Sequence, residues 1–94
     1  MGEDIRDLRH YLGFSQFYIS IECGWGCNYI AHIESGKIKN ISYKNAHKLA
    51  VFFVNEIKKR HKTIKEVEEY LGYFPFLDLL YVIENKDRNL DDII

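Results

Sequence analysis

The residues best suited to chemistry are two cysteines and a histidine in the first third of the chain. Cys23 and Cys27 are four residues apart and His32 lies nearby, which raises a metal or redox site as one hypothesis. A zinc site needs about four ligands, and the sequence contains no CxxC pair to supply them. Cys27, close to an expected helix N-terminus, would favour its thiolate form. We therefore expect free thiols, no metal and no cofactor.

Catalytic patterns are also absent from the sequence. No GxSxG, P-loop, dinucleotide fingerprint or spaced carboxylate pair occurs, and His10, His47 and His61 have neither metal-ligating nor catalytic spacing. We therefore predict no enzyme. A length of 94 residues with 47% hydrophobic predicts a small domain with its own core. No apolar run is long enough for a membrane, and the N-terminus is charged, so we expect a cytoplasmic protein with no membrane partner.

The stretch 15–37 is predicted to form two short helices joined by a tight turn. Gly24 supplies the left-handed backbone conformation that ends the first helix, and small Ser20 lets the helices approach. Apolar residues recur one helical turn apart within each helix, at Ile19 and Cys23 and at Ile30 and Ile33. The helices are expected to run from Gln16, capped by Ser15, to about Cys23, and from Gly26 or Cys27 to Ser35.

Several sequence features between Ile5 and Phe53 have fixed spacings that agree with one another. They are IRxLR at 5–9, GxSQ at 13–16, glycine at 24, YIxxIExGK at 29–37 and LA at 49–50. On these features the chain resembles the lambda-repressor/Cro-like (xenobiotic-response-element type) helix-turn-helix family of DNA-binding regulators. The resemblance covers a little over half of the chain.

The resemblance implies which side chains would meet DNA. Base edges would be read from the second helix of the pair by Cys27, Asn28 and His32, since asparagine pairs with adenine and histidine donates to guanine. Phosphate contacts would come from Gln16, Lys37, Lys39, Asn40, Tyr43 and Lys44, and the Gln16 amide would also brace the reading side chains. Arg9 and Glu34 would form a structural clamp that sets the angle of the reading helix. The alternative for the polar residues and lysines is that they are simply exposed to solvent and contact no DNA. Cys23 and Trp25 fall at positions that are apolar in the family, so we expect both to pack in the core.

Charge is distributed unevenly along the chain, although the net charge is only −1. Residues 1–61 carry nine Lys or Arg against six Asp or Glu, and residues 62–94 carry four against eight. From Gly36 through Lys62 there are eight Lys or Arg residues, and Glu56 is the single acid. A basic stretch directly after the helix pair is where phosphate contacts would be needed.

Capping signals and apolar periodicity predict four further helices, which gives an all-α bundle of five or six helices. Pro75 suits the first turn of the last helix. TxxE at 63–66 is a capping box, which predicts that the second-to-last helix begins there. The expected ranges are Glu3–Leu12, a helix capped by Ser42 that runs to about His61, Ile64–Leu71, and Phe76–Asn85.

The segment 62–94 lies beyond the resemblance, and we assign it to a helical extension of a DNA-binding domain at 1–61. A single helix-turn-helix reads few base pairs, so specificity usually needs two copies about 34 Å apart. The acids Asp78, Glu84 and Asp87 would be repelled by phosphate, which turns this segment away from DNA. We predict a homodimer interface at Phe76, Leu77, Leu80, Tyr81 and Ile83.

Together these patterns predict a transcription regulator that binds specific double-stranded DNA as a homodimer on a palindromic operator. The alternative is a protein-interaction module on the same scaffold, such as an antitoxin or an antirepressor. Three features favour the alternative: overall acidity, no Lys or Arg between Gly26 and Ser35, and an apolar C-terminal third through which another protein would bind.

Overall fold

The computed structural model describes residues 2–72 and 75–85 of the chain. Over these residues it contains six α-helices and no strand, which confirms the predicted all-α fold. The helices are α1 (Gly2–Leu12), α2 (Gln16–Glu22), α3 (Tyr29–Glu34), α4 (Tyr43–Lys59), α5 (Ile64–Leu71) and α6 (Pro75–Glu84). None of these helices combines the length and the apolar character needed to cross a membrane.

Three of the helices begin where the sequence places a hydroxyl cap. The side chains of Ser15, Ser42 and Thr63 accept hydrogen bonds from backbone N–H groups three residues on, at 3.0, 3.2 and 3.2 Å. Each satisfies a donor that has no partner within its own helix. α4 and α5 therefore begin where predicted, α5 also ends at the predicted residue, and α4 runs without a break almost as far as predicted.

The start of α3 is where the prediction was wrong. The helix begins at Tyr29 rather than at Gly26 or Cys27. The preceding residues form turns instead, because the Trp25 N–H donates to the Ser20 carbonyl at 2.8 Å and the Tyr29 N–H donates to the Gly26 carbonyl at 3.1 Å. Cys27 and the residue after it therefore lie in the turn that leads into α3.

One connected hydrophobic core runs through all six helices. α6 packs against α4 and α1, and α5 packs against α6. The rings of Phe53 in α4 and Phe76 in α6 meet edge to face with their centroids 6.2 Å apart. The two C-terminal helices therefore complete the core of the N-terminal four. Its fully buried large side chains include Ile5, Leu8, Ile19, Ile30, Leu49, Phe53, Ile57, Ile64, Leu77 and Leu80.

Candidate nucleic-acid interface

Arg9 of α1 and Glu34 of α3 form the ion pair that the sequence predicted. The Arg9 Nε and Nη2 atoms donate to the two carboxylate oxygens at 2.7 and 2.8 Å, and only 10% and 4% of the two side chains are exposed. Arg9 Nη1 also donates to the Phe14 carbonyl at 3.0 Å. Because the contact is bidentate and buried, it fixes the C-terminal end of α3 against α1.

Gln16, the first residue of α2, joins the same network. Its side-chain Nε2 donates to Glu34 Oε1 at 3.0 Å, and the side chain is half-buried. The Glu34 carboxylate thus receives donors from both α1 and α2. A primary amide carries two N–H groups, so this bond leaves Gln16 a second donor.

Two of the three residues predicted to read bases precede α3, and the third lies within it. Cys27 and Asn28 are exposed in the turn, and His32 is half-buried within the helix. Asn28 occupies the cap position of α3, but its side chain makes no capping hydrogen bond. Its amide therefore projects from the leading end of α3 without serving the helix.

The first two residues of α3 are held by other helices instead. The Ile30 N–H donates to the hydroxyl of Ser20 in α2 at 3.1 Å, and Asn45 Nδ2 of α4 donates to the Tyr29 hydroxyl at 2.9 Å. The Trp25 ring packs on the Tyr29 ring with centroids 4.6 Å apart, as its predicted core role requires. Sequence reasoning missed both polar contacts, because it treated Ser20 only as a small residue and gave Asn45 no role.

The predicted phosphate-contact residues beyond α3 are all exposed. They are Lys37, Lys39, Asn40, Tyr43 and Lys44, and 72% of Tyr43 is accessible. Lys48, one helical turn beyond Lys44, was not predicted. Its ammonium lies 3.5 Å from the point where a Cβ on Gly24 would stand, beside the turn between α2 and α3. The spacing of two lysines four apart on an exposed helix face is the signal that would have found it.

The two cysteines differ in exposure, as predicted. Cys23 is buried in the core, and this burial raises the pKa of its thiol to about 11, whereas Cys27 is exposed. Among the described residues, no group of three or more His, Cys, Asp or Glu side chains is arranged to hold a metal ion.

The predicted dimer interface needs correction. Phe76, Leu77 and Leu80 are buried within the single chain, because α6 turns them toward α4 and α1, so they do not form an exposed surface. Tyr81 and Ile83 are half-buried, and the Tyr81 hydroxyl donates to the Glu68 carboxylate in α5. The acid at position 87 lies outside the described residues.

Comparisons with known proteins assign no family to this chain. No protein-family model matches it, and no curated protein or solved structure matches it either. The resemblance to the lambda-repressor/Cro-like family therefore depends on the residues described above and stays a prediction.

Proposed function

We propose that this protein is a sequence-specific, double-stranded DNA-binding regulator of the lambda-repressor/Cro-like helix-turn-helix type, with α3 as its reading helix. The observation that carries the proposal is the hydrogen bond between Asn45 and Tyr29, which brings the start of α3 against the first turn of α4. Asn28 directly precedes Tyr29 in the chain, and the exposed Tyr43 and Lys44 directly precede Asn45. A base-reading group and phosphate-binding groups are thus presented together.

The charge around α3 suits a polyanion. Lys37 and Lys39 follow the helix directly, while Lys44 and Lys48 occupy the adjoining part of α4, and all four are exposed. Lysines that neutralise phosphates release bound counterions, and this supplies much of the affinity of DNA-binding proteins. The absence of basic residues from α3 itself is compensated by these neighbours.

The one carboxylate on α3 does not oppose this role. Glu34 is paired with Arg9 and accepts a further bond from Gln16, so its charge is neutralised within the protein. The second N–H of the Gln16 amide stays available for a phosphate oxygen. Gln16 can therefore brace Glu34 and contact the DNA backbone at once, whereas the resemblance implies that its amide braces the reading side chains.

We extend the proposal to a homodimer on a palindromic operator, with a revised interface. The apolar residues that α6 leaves partly or fully exposed are Leu79, Val82 and Ile83, which are spaced at one helical turn. Leu79 and Ile83 are half-buried and also pack on the core, whereas Val82 is 55% exposed. This face replaces the buried one as the surface on which a second copy would pack.

The test is selection of bound duplexes from a random-sequence pool, followed by affinity measurements on the enriched sequence. Asn28→Ala should weaken binding to that sequence by about 5- to 150-fold, since a good bidentate base contact is worth roughly 1–3 kcal/mol. Binding to random DNA should change little. Asn55→Ala is the matched control, because it removes the same side chain from an exposed site late in α4.

Salt dependence separates the phosphate contacts from the base contacts. Lys44→Ala should weaken binding to all sequences alike and reduce the slope of log affinity against log salt by about 1. A parent protein that enriches no sequence contradicts the proposal. The protein-interaction alternative would then take its place, and the exposed Phe17 and Ile21 on α2, one helical turn apart, would be the surface to examine.

A further inference from the structure

α3 is too short to hold its own position. It has six residues, and isolated helices shorter than about 12–15 residues are marginal in water. The first N–H groups of any helix have no acceptor within it, and Asn28 supplies no side-chain cap here. Contacts from other helices must therefore fix where α3 begins and how it is tilted.

Ser20 supplies the missing cap from a different helix. Its side chain is fully buried, and its hydroxyl accepts from the N–H of Ile30, the second residue of α3. A serine at a local cap position would satisfy the same N–H group from the preceding residues of the chain. Here the acceptor comes from α2, so the bond caps α3 and joins the two helices in one contact.

Asn45 holds the neighbouring residue from the other side. Its amide donates to the Tyr29 hydroxyl, and its own backbone N–H is fixed by the cap of α4 at Ser42. The Tyr29 ring is packed against Trp25, which limits the movement of the hydroxyl. The first residue of α3 is therefore tied to a well-anchored turn of α4.

We propose that Ser20 and Asn45 are positioning residues that set the orientation of α3 for base reading. Together with Glu34, which α1 holds through Arg9, they give α3 a polar attachment to each of three surrounding helices. Three separate attachments determine both the location and the tilt of a helix as short as α3. The proposal rests on the proposed DNA-binding function, because the reading side chain at Asn28 immediately precedes the two anchored residues.

The first measurement is amide hydrogen exchange on the DNA-free protein. Ser20→Ala should accelerate exchange of the Ile30 amide by about three- to tenfold, the usual net worth of one hydrogen bond. Exchange of the Leu49 amide in the core of α4 reports any general loss of stability and should change less. Ser35→Ala is the matched control, since it removes an exposed hydroxyl that bonds the His32 carbonyl at the other end of α3. Unchanged exchange at Ile30 overturns the anchoring itself.

The second measurement is the ratio of specific to non-specific DNA affinity. Asn45→Ala and Tyr29→Phe remove the same hydrogen bond from its two sides, and the phenylalanine keeps the ring on Trp25. Both variants, and Ser20→Ala, should lower this ratio by about three- to tenfold, while Ser35→Ala leaves it unchanged. Faster exchange with an unchanged ratio overturns the positioning role. A parent with no specific binding overturns the proposed function, even where the exchange results stand.

Discussion

α3 and α6 are held in the same chain by different kinds of contact. α3 buries two apolar residues, Ile30 and Ile33, and depends on polar bonds from α1, α2 and α4 for its orientation. α6 makes its contacts with the core mainly through apolar side chains, three of which are buried. The first arrangement fixes direction, because hydrogen bonds are geometrically demanding. The second fixes proximity, because apolar burial is non-directional.

The difference predicts where each region will fail. A helix held by apolar contacts should tolerate polar changes and collapse when a buried side chain is altered. A helix held by polar contacts should lose its orientation while much of the core survives. The three changes below test this contrast in order of expected effect.

The largest effect is expected for Leu80→Asp in α6. Leu80 is fully buried in the single chain. Truncation of such a leucine to alanine typically costs about 2–5 kcal/mol, and an unpaired buried carboxylate adds to that loss. Since small domains are stable by only about 5–15 kcal/mol, the variant should be largely unfolded. Circular dichroism with urea titration measures this directly.

Val82→Asp is the matched comparison, because Val82 lies on the same helix and is 55% exposed. We expect this variant to stay folded with the stability of the parent. If the outward face of α6 joins two copies, sedimentation equilibrium should also show that it has become monomeric. A folded Leu80→Asp would contradict the assignment of α6 to the intramolecular core.

An intermediate effect is expected for Arg9→Ala. The change leaves the buried Glu34 carboxylate without its charge partner, and breaking such a pair costs about 3–5 kcal/mol when it is fully buried. The free energy of unfolding should fall toward that range, and binding to all DNA sequences should weaken because α3 loses one attachment. Lys59→Ala breaks an exposed pair with Glu56 and should cost less than about 1 kcal/mol. Equal losses of unfolding free energy in Arg9→Ala and Lys59→Ala would contradict the larger contribution expected of the buried pair.

The same contrast explains what the sequence predicted and what it missed. The cap at Thr63 was predicted correctly because local backbone geometry determines it. The pairing of Arg9 with Glu34 spans 25 residues and was predicted from the family resemblance rather than from local geometry. By contrast, the sequence did not show which surface covers a buried apolar side chain. Burial of Leu80 has the same sequence signature whether the covering surface belongs to the same chain or to a second copy.

Polar contacts between distant segments were missed for a related reason. Nothing in the spacing of Ser20 shows that its hydroxyl will meet the N–H of Ile30, since the two come together only after the turn has formed. The start of α3 was placed too early for the same reason. The bonds that hold residues 25–29 in turns depend on α2 as well as on the local sequence.

The smallest effect concerns a polar bond between α6 and α5. The Tyr81 hydroxyl donates to Glu68, and this bond, with burial and nearby acids, raises the pKa of Tyr81 to about 12 from its ordinary value of 10. A pKa that is higher in the folded chain means that the protonated phenol is favoured there. Its contribution to stability is complete below pH 10 and is lost as the pH rises toward 12.

Tyr81→Phe should therefore be less stable than the parent below pH 10, and the difference should vanish near pH 12. Urea titrations of both proteins across this range measure it, and the other tyrosines cancel because both proteins contain them. Equal stability of the two proteins at every pH would show that the Tyr81 ring stabilises α6 by packing alone, since phenylalanine keeps the ring, and this result would sharpen the contrast of α6 with α3.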